Sequence, residues 1–316
     1  MAPTAIVSEM DLESMEDLPG ASTELMMYFR EADRDCPANQ GSNALEKRAR
    51  IRALGCLSKM LEAMTGSQEC WFQAALLLDG SSSCVNLAKL PLTCIAIARI
   101  LVKFEFGGEK RSSWRRFVHE NGAALKHARD FAGWVDMTFD CKTIEITHRA
   151  VCEQEAEVLR TLNWEVDGPC IEQWLYIYSV RFEKLTDITK MRRHPDLKML
   201  RAFVLISARA ILMSESFAPM LSQGDLALGL FCLSLMLDGY LPLTSLKPEE
   251  VDEADWCESM SILNAGNQPG GEAAEDGASS KASSQILEIL CLAVQEDKKG
   301  MCEKVHHVVR ELLKED

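Results

Sequence analysis

Few residues in this chain have the types and spacing that catalysis or metal binding requires. The six histidines are dispersed except for His306 and His307, and neighbouring side chains of a helix point in different directions, which disfavours a shared metal ion. The twelve cysteines occur singly, with no CxxC pair, and we interpret them as small buried side chains in a reducing compartment. Phosphate-binding loops and hydrolase or metalloprotease motifs are absent from the sequence. We therefore expect no catalytic site, no cofactor, no metal and no enzymatic activity.

A carboxylate, Glu155, interrupts an apolar helix face. Val151, Val158, Leu159 and Leu162 share that face through separations of three, four and seven residues, and Glu155 lies four residues from both Val151 and Leu159. Desolvating an unpaired carboxylate costs several kcal/mol. Glu155 therefore either reaches solvent at the edge of the apolar stripe or accepts from specific donors.

Three further charged residues lie at informative places on predicted helices. Lys103 ends an apolar helix, where the helix dipole favours a cation and where the long side chain can reach water. Arg52 lies on one amphipathic helix and Asp79 ends the next. An ion pair between these two helices is geometrically plausible, although spacing alone does not establish it.

Composition and charge exclude several classes of function. The chain has 316 residues, 47% of them hydrophobic, which is enough for two domains with cores of their own. Its formal charge of -14 argues against nucleic-acid binding, because phosphate contacts need concentrated Lys and Arg. The amino terminus lacks a secretion signal, and the longest apolar run, residues 90–102, is too short for a bilayer and contains Arg99. We expect an intracellular protein without a membrane anchor.

The hydrophobic pattern predicts an all-α protein. Apolar residues recur at helical spacing over 43–64, around 71–78, over 91–102 and over 148–162, and five more helical patterns follow residue 169. Residues 139–147 alternate like a strand, but Thr147 is a good N-cap, so we predict extended chain followed by a helix. About five helices, a linker and about five more helices is the expected architecture.

This pattern divides the chain into three regions. Residues 1–22 are acidic and are expected to be disordered. Residues 23–167 form a first helical domain that contains a basic, polar interruption at 107–137, and residues 168–316 form a second one. Within the second domain, residues 264–284 are rich in Gly, Ala, Ser and acids and are expected to form a disordered surface loop.

The order of these features resembles the cyclins over residues 43–166. Residues 51–54 (IRAL) look like the start of the first helix of the cyclin box. Three further stretches look like the ends of its second, third and fifth helices: 76–79 (LLLD), 103–105 (KFE) and 158–166 (VLRTLNWEV). Five residues then fall, in order, on the positions by which the box is recognised: Arg52, Asp79, Leu92, Lys103 and Glu155. In the second half of the chain the resemblance is only architectural.

The resemblance implies two tandem five-helix domains and a regulatory subunit that binds and activates a cyclin-dependent kinase in cell-cycle progression, in the nucleus, the cytoplasm or both. It implies that Arg52 and Asp79 form a structural ion pair. It also implies that Lys103 and Glu155 face a kinase together, flanked by Phe104, Leu159 and Trp164. Charged hydrogen bonds of this kind are strong when they are desolvated.

Departures from the family pattern leave two alternatives open. Ser58 stands where cell-cycle cyclins place a tryptophan in the groove that docks substrates, and Gly80 replaces the arginine that usually follows the aspartate. One alternative is an adaptor with a cyclin fold that does not activate a kinase, and another is a scaffold related to transcription factors of the same fold. The basic stretch 107–137 is predicted to add a partner-selective protein contact beside the kinase face.

Overall fold

The computed structural model describes residues 18, 20–35, 45–65, 70–105, 114–166, 168–189, 196–214, 221–265 and 280–314. Within those ranges the regular structure consists of thirteen α-helices and one short 3-10 helix, without a strand. The predicted all-α class is therefore confirmed.

The helices are named here in chain order. They are α1 (Thr23–Asp35), α2 (Lys47–Thr65), α3 (Trp71–Gly80), α4 (Leu90–Glu105), α5 (Trp114–Glu120), α6 (Gly122–Phe139), α7 (His148–Thr161), α8 (Ile171–Ile188), α9 (Leu197–Met213), α10 (Gln223–Leu237), α11 (Glu253–Ala265), α12 (Ser280–Val294) and α13 (Lys298–Leu312), with the 3-10 helix at Ser82–Cys84.

The chain divides into two compact units. The N-terminal unit comprises Ala32–Cys170 with Met213–Met220, and the C-terminal unit comprises Ile171–Leu212 and Leu221–Asp316 together with the residues up to Glu31. The main division lies three residues after the predicted one at 167. Most of α1, however, belongs to the C-terminal unit, whereas the sequence placed it in the first domain. Ala21, in the segment predicted to be disordered, is fully buried; residues 1–17 and 19 lie outside the described residues.

Helix α4 lies at the centre of the N-terminal unit. It packs against α2, α3, α6 and α7, and all of residues 90–98 are buried. An apolar sequence on every side of a helix predicts this environment, because such a helix has no face suited to water. The central position of α4 brings its last two turns against α7.

The basic stretch 107–137 is part of this bundle rather than an addition to it. Residues 122–137 belong to α6, which packs against both α2 and α4. Its inner face is buried through Ala124, Leu125, Ala128, Phe131 and Val135. The Ala, Leu and Phe residues of the stretch predict one amphipathic helix, and the structure contains it, but as part of the core rather than as an insertion. Residues 107–113 lie outside the described part of the chain.

Capping side chains start two helices of the N-terminal unit. Thr147 precedes α7, and its hydroxyl accepts from the backbone N of Ala150 at 3.2 Å, as predicted. At α2 the carboxylate of Glu46 accepts from the backbone N of Ala49 at 2.7 Å and caps that helix. Residues 141–147 form neither a helix nor a strand.

In the C-terminal unit α10 is the buried helix. It packs against α8, α11 and α13, while α12 packs on α8. The side chain of Arg181 on α8 is buried and donates to the carbonyls of Ala293 (2.7 Å) and Ala21 (3.0 Å), which ties α8 to α12 and to the segment before α1. The helical patterns predicted from the sequence do not include α11. The predicted loop 264–284 overlaps the ends of α11 and α12, and residues 266–279 lie outside the described ranges.

Among the helices that the structure describes, none combines the length and the apolar character needed to cross a membrane.

Candidate functional site

The side chains of Lys103 and Glu155, which are 52 residues apart in sequence, meet on the N-terminal unit. Lys103 Nζ donates to Glu155 Oε2 at 2.9 Å. Lys103 lies in the last turn of α4 and Glu155 in the middle of α7, and these two helices pack against each other. The side chain of Glu155 is 11% exposed and that of Lys103 is 51% exposed. The structure therefore pairs an anchored carboxylate with an ammonium group that reaches solvent.

A second cation, Arg99, holds the other oxygen of Glu155. Arg99 Nε lies 3.1 Å from Glu155 Oε1, and the arginine side chain is 14% exposed. Arg99 and Lys103 are four residues apart on α4, which places them one above the other on the same helix face. Glu155 thus accepts one hydrogen bond, from Lys103, and lies at ion-pair distance from a second cation, although its Oε1 atom has no hydrogen-bond partner among the described residues. These two cations explain how a carboxylate can interrupt the apolar stripe of α7.

An aromatic ring covers Arg99. The guanidinium carbon of Arg99 lies 4.8 Å from the centre of the Phe117 ring, which belongs to α5 and is 9% exposed. A cation held over the face of an aromatic ring gains attraction from the ring quadrupole, and the contact restricts the guanidinium. Phe117 therefore links the basic stretch to the site through the orientation of Arg99.

The predicted ion pair on Asp79 forms with a different arginine. Arg50 Nε and Nη2 each donate to one oxygen of Asp79 at 2.7 Å, and the two side chains are 13% and 17% exposed. The prediction of Arg52 was wrong because Arg52 points away, with its guanidinium 5.6 Å from the centre of the Trp134 ring. The bidentate pair joins α2 to the end of α3.

The three apolar residues predicted beside the pair differ in exposure. Phe104 is 61% exposed and Trp164 is 66% exposed, while Leu159 is half-buried. Phe104 directly follows Lys103, and Leu159 lies one turn after Glu155 on α7. Large aromatic side chains at such exposure are typical of surfaces that bind other proteins.

The backbone at Trp164 carries strain. Asn163 and Trp164 have φ values of 51° and 66°, in the left-handed region, and the backbone N of Trp164 donates to the carbonyl of Leu159 at 2.8 Å. Asparagine tolerates this region, but a bulky residue there is unusual. The turn after α7 therefore holds an exposed indole at an energetic cost, a combination that is frequent at functional sites.

Two cations, Arg99 and Lys103, lie beside the carboxylate of Glu155. An ammonium group has three donors, and among the described residues Glu155 is the acceptor that Lys103 contacts. Within the described part of the chain, the remaining donors of Lys103 are therefore available for carbonyl or carboxylate oxygens of a partner, whereas a cation already lies within 3.1 Å of each oxygen of Glu155.

The described residues contain no cluster of three His, Cys, Asp or Glu residues able to hold a metal ion. Burial raises the pKa of the Cys94 and Cys232 thiols, so both remain protonated and weakly nucleophilic. An open depression of about 520 Å³ is lined only by residues of α7, among them His148 and Cys152. Side chains along one helix do not converge on a substrate as those of an enclosed cleft do.

Two residues of the site were not identified from the sequence. Arg99 was noted only as a break in an apolar run, although its position four residues before Lys103 was a usable signal for a shared face. No feature of the sequence indicates a role for Phe117, because its contact with Arg99 depends on how α5 packs towards α4.

Comparison with protein-family models, with curated proteins and with solved structures gave no significant match to this chain.

Proposed function

We propose that this protein is a cyclin-like regulatory subunit that binds and activates a cyclin-dependent kinase inside the cell, in the nucleus, the cytoplasm or both. The proposal combines the resemblance of residues 43–166 to the cyclin box with the geometry around Lys103. The observation that carries it is the 2.9 Å contact between Lys103 Nζ and Glu155 Oε2, because it joins the two residues to which the resemblance assigns kinase binding.

The geometry supports different roles for these two residues. Lys103 is half exposed and keeps donors for backbone carbonyls of the kinase. Glu155 is nearly buried and contacts both cations, so its main role is to orient Lys103 and to neutralise part of the local charge. Desolvation of Lys103 in a complex would strengthen its hydrogen bonds.

The exposed aromatic residues supply the apolar part of the same surface. Phe104 lies next to Lys103, and Trp164 projects from the strained turn after α7. Burial of such rings contributes a large share of the binding free energy in protein complexes. Pressure of this surface on a mobile kinase helix would seat the Lys–Glu pair that positions ATP and would free the activation segment.

Co-expression with a panel of cyclin-dependent kinases tests the proposal. The wild type, the Lys103→Ala/Glu155→Ala variant and the control Lys89→Ala/Glu157→Ala variant would be compared for complex formation and for phosphorylation of a generic substrate. Lys89, which directly precedes α4, and Glu157 of α7 form a matched ion pair, with Nζ and Oε2 2.8 Å apart. We expect capture and activation by the wild type and the control, and loss of both in the Lys103/Glu155 variant.

Two other results of the co-expression experiment would argue against this proposal. Capture of a kinase without activation would favour the adaptor alternative, for which the two cations that already lie beside the carboxylate of Glu155 are a specific observation. Failure to capture any kinase of the panel, or equal behaviour of the two variants, would contradict the proposed function and its interface.

A further inference from the structure

Helix α9 of the C-terminal unit exposes an apolar stripe on its outer face. Met199 and Ile206 are 67% and 70% exposed, and Ala202 between them is also exposed. Separations of three, four and seven residues place the three on one face of the helix. The opposite face is buried through Leu200, Val204, Ser207, Ala208, Ile211 and Leu212. Two large aliphatic side chains therefore point away from the core of the unit.

Basic residues lie along one flank of this stripe. Lys198 is exposed and lies four residues before Ala202, and Arg209 lies three residues after Ile206. Helix α9 contains no acidic residue, although the whole chain has a formal net charge of -14. Asp196 precedes the helix, and its carboxylate accepts from the backbone N of Lys198, as a helix cap does. A segment that covers the stripe should therefore combine an aliphatic side chain with carboxylates.

Helix α11 of the same unit presents such a face. Asp255, Glu258 and Ile262 are all exposed, Ile262 to 57%, and separations of three, four and seven residues place them on one side of the helix. The other side of α11 is buried through Trp256 and Met260. Helix α11 contains three acidic residues and no Lys or Arg. Its outer face is thus the chemical complement of the outer face of α9.

The spacing of charge and apolar side chain also matches between the two helices. Lys198 precedes Ile206 by eight residues, which is about 12 Å along the axis of α9. Asp255 precedes Ile262 by seven residues, which is about 10.5 Å along the axis of α11. Parallel helices that pack Ile206 against Ile262 therefore bring Lys198 beside Asp255.

The antiparallel direction joins unlike charges as well. In that direction Arg209, three residues after Ile206, lies beside Glu258, four residues before Ile262. Contact between two copies of α9, or between two copies of α11, would instead bring like charges together, which weakens a complex. The unlike pair of α9 and α11 is therefore favoured in both directions.

We propose that the outer face of α9 binds the outer face of α11 of a second copy of this chain. Ile206 and Ile262 are both exposed within one molecule, so the two faces do not cover each other there. The contact is heterologous, because different surfaces of the two copies meet, and it leaves one face of each kind free for a further copy. The inference does not depend on the proposed kinase function.

Sedimentation velocity of the full chain tests this contact. Concentrations from about 1 μM to about 300 μM cover the dissociation constants of weak protein contacts, and we expect the sedimentation coefficient of the wild type to rise across this range. Ile206→Glu opposes the acids of α11, and Ile262→Lys opposes the bases of α9. Each should raise the dissociation constant at least about tenfold. Ile262→Lys also brings the net charge closer to zero, so general repulsion between copies would not explain its loss of association.

An equimolar mixture of the two variants distinguishes a heterologous contact from a symmetric one. The Ile206→Glu copy keeps its α11 face, and the Ile262→Lys copy keeps its α9 face. The mixture should therefore form a one-to-one complex, although each variant alone associates poorly. A symmetric contact through two α9 faces would instead leave the Ile262→Lys variant associating as the wild type does.

The matched control is Met27→Glu. Met27 lies on α1, in the same unit, and is 55% exposed, so the substitution adds the same charge as Ile206→Glu at a different surface. It should leave the dissociation constant unchanged. Circular dichroism melting would establish that all three variants are folded.

Four results would overturn the proposal. The first is a wild type that stays monomeric over the whole concentration range. The second is an Ile206→Glu or Ile262→Lys variant that associates as the wild type does. The third is a mixture of these two variants that sediments as monomers. The fourth is a Met27→Glu variant that loses association to the same extent as Ile206→Glu.

Discussion

Two carboxylates of the N-terminal unit are each held by arginine, yet their surroundings differ. Asp79 receives both donors from Arg50, and both side chains of that pair are less than one fifth exposed. Glu155 is as buried as Asp79, but one of its two cations, Lys103, is half exposed and is followed by an exposed phenylalanine. The Asp79 pair is bidentate, whereas Lys103 keeps donors that the described residues do not use. The first arrangement fixes two helices, and the second is suited to a partner.

The largest loss of stability is expected at the Arg50–Asp79 pair. Arg50→Ala leaves the carboxylate of Asp79 half-desolvated without its bidentate partner, which should lower the free energy of unfolding by about 2–4 kcal/mol. Arg52→Ala removes the contact of the guanidinium with the Trp134 ring and should lower the free energy of unfolding by about 0.5–1 kcal/mol. Urea denaturation of both variants measures the difference. Equal losses would mean that Asp79 is not specifically paired with Arg50.

A smaller loss of stability is expected at Glu155. Glu155→Ala removes the carboxylate that lies 3.1 Å from the nearly buried Arg99, and the free energy of unfolding should fall by about 1–3 kcal/mol. Glu155→Gln keeps the shape and one acceptor oxygen and should recover part of that loss. Denaturation in urea compares the two variants with the wild type. A Glu155→Ala variant as stable as the wild type would show that Glu155 does not anchor the neighbouring cations.

The ring of Phe117, which covers Arg99, should contribute still less to the free energy of unfolding. Phe117→Leu keeps much of the apolar volume but removes the aromatic face, so unfolding should become easier by about 1 kcal/mol. The same substitution in an Arg99→Ala background should cost less, since the cation is gone. This double-mutant cycle isolates the contact. Additive losses in the cycle would show that Phe117 does not act through Arg99.

The smallest change in stability is expected at Lys103 itself. Its ammonium group is half exposed, and exposed ion pairs contribute less than about 1 kcal/mol. Thermal melting of Lys103→Ala should therefore nearly superimpose on that of the wild type. A loss as large as that of Arg50→Ala would place Lys103 among the structural residues and would remove the contrast between the two carboxylates.

The sequence predicted the elements better than the contacts between them. The apolar pattern of α4 and the cap at Thr147 are local signals, and the structure contains both. Local sequence signals do not decide which of Arg50 and Arg52 pairs with Asp79. Both arginines lie within one turn of α2, and only the packing of α3 and α6 decides which of them faces Asp79 and which faces Trp134.

The same limit applies to the basic stretch. Periodicity does not state whether a helix with basic residues belongs to a core, and the buried face of α6 becomes evident only from its contacts with α2 and α4. In the candidate site the meeting of Lys103 and Glu155 was expected from the resemblance to cyclins, whereas Arg99 and Phe117 required the fold. Residues that act through three-dimensional neighbours leave little trace in linear spacing.

We propose that Lys103 is available for a partner while it contributes little to the fold. The dissociation constant of the complex with whichever cyclin-dependent kinase the wild type captures tests this, measured for Lys103→Ala and for the control Lys89→Ala. We expect a constant at least about tenfold higher for Lys103→Ala, a change of about 1.4 kcal/mol, and little change for Lys89→Ala. Equal affinities of the two variants for the kinase would contradict it.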